Sequence, residues 1–339
     1  MSNPIVVELV RGPAVESVHA GAIAVSDAAG KLVLAIGDVG RAIYPRSAVK
    51  LLQALPLVEC GAADDYGFGA RELALACSSH NGEAAHVDTA RGMLARAGRD
   101  GNALECGPQP PERDADRASL HRANLLPNSL HNNCSGKHAG FVCLACHEGE
   151  DPTGYVTPDH FVQAAVRRTM AEVVGVSLDA DICGIDGCSI PTYAVPLDRL
   201  ARGFARIAGG EGLTADRASA GKRLMAACMA EPFMVGGTGR FCTRLMEALP
   251  GRVFAKIGAE GVYCAALPEL GLGIALKADD GASRAAEVMV AATIARLLPM
   301  SEAEAARLAP LTQPRLVNWM KRDVGFLRPA GPLVAGLAA

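Results

Sequence analysis

This sequence lacks the features that would send a chain to a nucleic acid, a bilayer or the export pathway. Lys and Arg number 33 against 36 Asp and Glu, the formal net charge is −3, and no block of like charge occurs. No nucleic-acid partner and no acidic membrane surface is therefore expected. The most apolar late stretch, Val288 to Leu298, is too short to span a bilayer and contains Arg296. The opening Met1-Ser2-Asn3-Pro4-Ile5-Val6-Val7-Glu8 has neither the basic start nor the long apolar core of a signal peptide. No internal repeat and no flexible linker divides the chain. The expectation is a cytoplasmic protein folded as a single unit over 1–339, without a membrane partner.

Half of the residues are apolar, enough for a large core. The 11 cysteines are odd in number, and Cys60, Cys77, Cys228 and Cys264 lie in apolar surroundings. They read as reduced core thiols. Ile5–Leu9, Gly21–Ser26 and Lys31–Ile36, separated by turn signals, predict an antiparallel meander. Phe161 to Val174 predicts an amphipathic helix capped near Thr157-Pro158-Asp159, and Leu197 to Ile207 and Ala218 to Met229 predict two more. Gly101 to Asn133, rich in Pro, Asp, Asn and His, reads as a surface excursion. Val253 to Gly258, Val262 to Leu267 and Gly273 to Leu276 read as strands, followed by a helix over Ala282 to Leu298. Pro310 to Ala339 reads as an irregular strap. The fold class is α/β, with an antiparallel sheet assembled from both chain ends. Residues 47–235 form the mainly helical region, and 1–46 with 236–339 the α/β region.

The chemistry centres on Tyr44-Pro45-Arg46-Ser47-Ala48-Val49-Lys50, which runs into Leu51, Leu52, Ala54 and Leu55. Pro45 keeps Tyr44 extended, and Ser47 reads as a helix start. Position i+3 lies over position i on a helix, which sets Lys50 beside the Ser47 hydroxyl. A neutral amine there takes the hydroxyl proton, and backbone N–H groups at the helix start hold an oxyanion. Ser219-Ala220-Gly221-Lys222 has the same spacing but lies among polar residues and reads as a solvated helix start.

Other clusters carry open readings. Cys143-Leu144-Ala145-Cys146-His147 matches haem attachment, a redox dithiol or buried thiols, the last favoured by its apolar surroundings. Cys134-x-x-Lys137-His138 and the Cys183, Asp186, Cys188 loop hold soft and imidazole donors without zinc-finger spacing. Ser78-Ser79-His80 is either a polar cap or a second hydroxyl aimed into a cleft. Lys256 inside Phe254-Ala255-x-Ile257-Gly258 either snorkels or is held near neutral for chemistry. Lys277 reads as a surface residue paired with acids.

Five blocks in order resemble the Rhizobium-type (class-three) L-asparaginases: Pro45–Lys50, Cys77-Ser78-Ser79-His80-x-Gly-Glu, His131–His138, Gly184–Cys188 and Ala255–Gly261. That family has a fold similar to serine β-lactamases, penicillin-binding proteins and their glutaminase relatives. The resemblance implies hydrolysis of L-asparagine to L-aspartate and ammonia, with Ser47 paired to Lys50 and Ser79 to Lys256. It also implies zinc held by Cys134, Lys137 and Cys188. Arg46, His138 and Asp186 lie near the substrate by the same resemblance, and the expected assembly is a homodimer. A penicillin-recognising amidase or peptidase shares Ser-x-x-Lys, and a non-catalytic zinc or thiol module also accounts for the cysteines.

Overall fold

The computed structural model describes residues 2–179 and 182–334. In chain order the elements are β1 (Ile5–Arg11), β2 (Ala14–Ser26), β3 (Leu32–Ile36), β4 (Ala42–Ile43), a 3-10 turn (Arg46–Val49), α1 (Lys50–Gln53), α2 (Leu55–Glu59), α3 (Ala62–Asp65), α4 (Ala70–Ala76), α5 (Ala84–Arg96) and α6 (Asp114–Arg122). Then follow α7 (Ser135–His147), α8 (Phe161–Val174), β5 (Cys183–Ile185), β6 (Pro191–Tyr193), β7 (Val195–Pro196), α9 (Leu197–Gly209), α10 (Ala215–Ala230), α11 (Pro232–Val235) and α12 (Phe241–Ala248). β8 (Phe254–Gly258), β9 (Val262–Leu267), β10 (Leu272–Ala278), α13 (Ser283–Leu297), α14 (Glu302–Thr312), β11 (Arg315–Val317) and β12 (Asp323–Pro329) complete the chain. Among the described residues no helix is long and apolar enough to cross a membrane.

Two compact units divide these elements: 1–48, 195–212 and 245–339 form the sheet unit, and 49–194 with 213–244 the helical unit. The sheet runs β11-β12-β1-β2-β10-β9-β8, with β3 also paired to β2, and every pairing is antiparallel. Both faces of its centre are covered. A Cβ on Gly273 would stand 2.0 Å from the Ala201 carbonyl of α9, while one on Gly21 would meet Met289 of α13. Gly21 pairs with Ala278, five residues along β10 from Gly273, so the two helices lie on opposite faces. Burial on both faces explains why β9, Val-Tyr-Cys-Ala-Ala-Leu, is buried at every position rather than alternating.

The meander is present as β1–β2–β3, and α8 spans Phe161–Val174 as its periodicity predicts. Its cap differs: His160, not Thr157 or Asp159, accepts from Val162 N–H at 3.1 Å. The expected helical stretch 47–235 is interrupted, because β7 and α9 join the sheet unit, where α9 covers β10. The expected strap from Pro310 is instead the end of α14 and two strands, β11 and β12, at the sheet edge. Its residues 335–339 lie outside the described residues, as does Asp181 at the start of the Cys188 loop. Ser219 and Lys222 are exposed inside α10, whose cap is Thr214, so they start no helix. The excursion from Gly101 carries α6, which buries no side chain.

Candidate active site

In the helical unit, Leu51, Leu52 and Leu55 are fully buried and draw the first turn of α1 inside, so that Lys50 is 0 % exposed. A buried amine needs polar partners, and Lys50 has three. Its Nζ donates to the Ser78 carbonyl, to Ser79 Oγ at 3.0 Å and to Cys134 Sγ at 3.1 Å. These partners come from two distant segments that meet because residue 136 is glycine. A Cβ there would lie 2.3 Å from the Leu75 carbonyl oxygen, so only glycine lets the start of α7 press on the end of α4. Beyond α4 the chain runs irregularly through Ser78, Ser79 and His80. It is fixed by Ser79 N–H to Val235 O (3.0 Å) and His80 N–H to Asn133 O (3.1 Å).

One turn into α7, Lys137 Nζ donates to Cys188 Sγ at 3.0 Å. Cys188 sits in the turn between β5 and β6, closed by Asp186 N–H to Ile190 O and Ser189 N–H to Asp186 O, both 2.9 Å. The Cys134 and Cys188 thiols hydrogen-bond each other. That bond, helped against burial by Lys50 and Lys137, holds Cys134 well below the ordinary thiol value of 9.0. Cys188 moves up, because it donates to Cys134 and is itself buried. The shared hydrogen bond thus moves the two thiols in opposite directions, Cys134 down and Cys188 up. Burial pulls Lys137 down, but Cys188, Cys134 and the Asp186 carboxylate outweigh it and raise the amine.

The histidines beside these groups are neutral. His80 Nδ1 accepts from Gly82 N–H at 3.0 Å, which puts its proton on Nε2, 2.9 Å from Ser135 Oγ. Burial first, then His86 and Lys50, holds His80 well below 6.5. His138 Nδ1 lies 2.6 Å from the Tyr155 hydroxyl, and that hydroxyl accepts from Glu105 N–H at 2.9 Å. The Tyr155 proton therefore points at Nδ1, and His138 carries its own on Nε2. That Nε2 is buried and has no partner, which makes it a donor suited to an acceptor that is not part of the protein. No sequence pattern singles out Tyr155, a lone aromatic after Gly154.

The sheet unit holds Ser47 and Lys256. Ser47 is half-buried on the 3-10 turn, after Arg46 at φ 51°, a left-handed backbone that costs a non-glycine residue about 1 kcal/mol or more. A Cβ on Gly258 would stand 2.4 Å from the Pro45 carbonyl, so β8 lies directly against this turn. Lys256, two residues earlier, shares the face of Gly258. It is 0 % exposed, and its Nζ donates to the Ile257 carbonyl at 2.7 Å. Ala48 N–H is bonded to Pro45 O at 3.1 Å and is not a spare oxyanion donor. Lys277, expected to pair with surface acids, donates instead to the carbonyls of Glu260 (2.7 Å) and Ala278.

The model of the L-asparaginase II family matches residues 7–329. The chain belongs to the L-asparaginase II family. It is accordingly a hydrolase that acts on the amide of asparagine. No curated protein matches the chain significantly by sequence. Among solved structures, a β-lactamase from Mycobacterium bovis is similar at 14% identity and a TM-score of 0.38, over 86% of this chain and 95% of that one.

In this asparaginase, Cys134 Sγ, Cys188 Sγ and Lys137 Nζ converge as two sulfurs and a nitrogen, with the Cys134 thiol held below its ordinary value. Such a donor set fits zinc, with the condition that Lys137 gives up its proton to ligate. Cys143 donates to Met93 O at 3.4 Å and Cys146 bonds Arg99, so the two thiols of Cys-x-x-Cys-His face different partners. Cys60, expected in the core, is half-exposed.

Proposed function

We propose that this asparaginase converts L-asparagine to L-aspartate and ammonia by serine–lysine chemistry. The observation that carries the reading is the fully buried Lys50 with its Nζ 3.0 Å from Ser79 Oγ. Ser47 is the nucleophile: its Oγ attacks the side-chain carboxamide carbon as its proton passes to lysine. Lys50, in contact with Ser79, serves as the base, and Ser79 with Lys256 completes the proton path. The tetrahedral oxyanion is held by backbone N–H groups of the Ser47 turn other than that of Ala48. The lysine returns its proton to the leaving nitrogen, ammonia departs, and water cleaves the β-aspartyl ester by the same path in reverse.

Arg46, Asp186 and the unpaired Nε2–H of His138 are assigned to the charged ends of the amino acid. Cys134, Lys137 and Cys188 would hold zinc, which when bound organises their loops and offers a Lewis-acidic grip on the substrate's α-amino or carboxylate end. A cytoplasmic homodimer completes the proposal, and mass by light scattering tests the dimer. Ammonia release assayed over asparagine, glutamine and β-aspartyl peptides tests the activity. Nitrocefin turnover without ammonia release would replace the reading with a penicillin-recognising amidase. Ser47→Ala and Ser79→Ala should each lower kcat by about 10⁴-fold or more, with no further loss in the double variant. Full activity in Ser47→Ala removes it as nucleophile.

A further inference from the structure

Away from these residues, three helix ends meet at the surface of the helical unit. Cys60 caps the C-terminus of α2, Asp65 ends α3, and His147 and Glu148 end and cap α7. Lys137 and His147 stand ten residues apart on α7, about 15 Å along its axis, so this is a different place from the Cys134 cluster. The Sγ of Cys60, a ring nitrogen of His147 and a carboxylate oxygen of Glu148 lie within 4.8 Å of one another.

The hydrogen bonding leaves one ring nitrogen of His147 turned towards a carboxylate. His147 Nε2 is 3.1 Å from the Cys60 carbonyl, which only accepts, so Nε2 carries the proton. The other ring nitrogen, Nδ1, faces Asp65 Oδ2 at 3.5 Å. Two acceptors face each other stably only with a proton or a cation between them. Among the described residues neither Glu148 nor Asp65 pairs with a Lys or Arg. The ends of the three helices add their own negative potential.

We propose that Cys60, His147 and Glu148, with Asp65 at the rim, bind a divalent cation of the zinc class and tie the ends of α2, α3 and α7 together. One sulfur, one imidazole nitrogen and carboxylate oxygens are a zinc donor set, whereas calcium and magnesium take oxygen alone. Bonds of about 2.0–2.3 Å require donors roughly 3.5 Å apart in a tetrahedron. Half-exposed side chains close that gap by rotamer changes. This site is independent of the catalytic reading.

Cobalt(II), added to metal-stripped Cys134→Ala/Cys188→Ala protein, is the probe. One equivalent should bind with a thiolate-to-cobalt charge-transfer band. The band should disappear when Cys60→Ser is added, and affinity should fall about tenfold or more in His147→Gln. No band, or a band indifferent to Cys60→Ser, overturns the site. Where that background does not fold by circular dichroism, zinc content decides in the otherwise unaltered protein. One equivalent less in Cys60→Ser supports the site, and equal content overturns it.

Discussion

The two thiol clusters of the helical unit differ in what surrounds the sulfur. Cys134 and Cys188 are buried with the amines of Lys50 and Lys137 within 3.1 Å of their sulfurs. Cys60 is half-exposed beside carboxylates and an imidazole. The hydrogen bond from Cys188, with the amines of Lys50 and Lys137 helping, lowers the Cys134 thiol, whereas burial, with Glu148 adding to it, raises Cys60. The same atom type is thus eased towards the thiolate in one place and held back from it in the other, where a bound cation would have to displace the proton. Burial opposes ionisation in both places; at Cys134 the hydrogen bond from Cys188 and the two amines outweigh it, and at Cys60 burial prevails.

The largest way to break this contrast is Lys50→Met. It removes the proposed base and one of the two cations beside Cys134. kcat/KM should fall by about 10²–10⁴-fold, and the Cys134 thiol should titrate higher, read by the pH dependence of its alkylation. Cobalt binding at Cys60 should not change. Next comes Gly136→Ala, which forces α7 away from the Leu75 carbonyl. A stability loss of about 1–3 kcal/mol in urea unfolding, with lost activity, is expected; wild-type behaviour would show that α7 and α4 tolerate separation. Cys188→Ala should lose bound zinc and raise KM more than it lowers kcat. Unchanged zinc content in the purified variant would remove Cys188 from the ligand set.

The smallest effect concerns pH. Serine–lysine chemistry needs a free amine, and an ordinary lysine titrates near ~10.4, so kcat/KM should climb from neutral into alkaline pH. Burial holds His80 and His86 below 6.5 in the folded protein. The unfolded chain therefore binds more protons below that value, and stability conferred by neutral histidines falls as pH drops from 6.5 through their folded values. Tm should decline on that acid side, less steeply in His80→Gln. A rate limb near ~6.5 that vanishes in His80→Gln would overturn the lysine reading.

Ser47 and Lys50 stood out because their spacing is local, and the burial of Lys256 was legible because a lysine inside an apolar strand is conspicuous. The contact between Lys50 and Ser79 was not legible, since it depends on Gly136 admitting one helix against another. The sequence pairing set Lys50 with Ser47; the hydrogen bonds of its Nζ go instead to the Ser78 carbonyl, Ser79 and Cys134. β11 and β12 escaped notice because Pro314, Gly325 and Pro329 interrupt a short alternation. Cys60 and His147 are 87 residues apart, and no linear pattern joins them.

β1 is paired to β2 on one side and to β12 on the other. β1 thus leaves the ribosome long before the strand that closes its second edge. Until residues 323–329 emerge, β1 offers a row of unpaired N–H and C=O groups to any neighbouring chain. A nascent or truncated polypeptide ending after α14 would carry that sticky margin, a template for pairing with other chains.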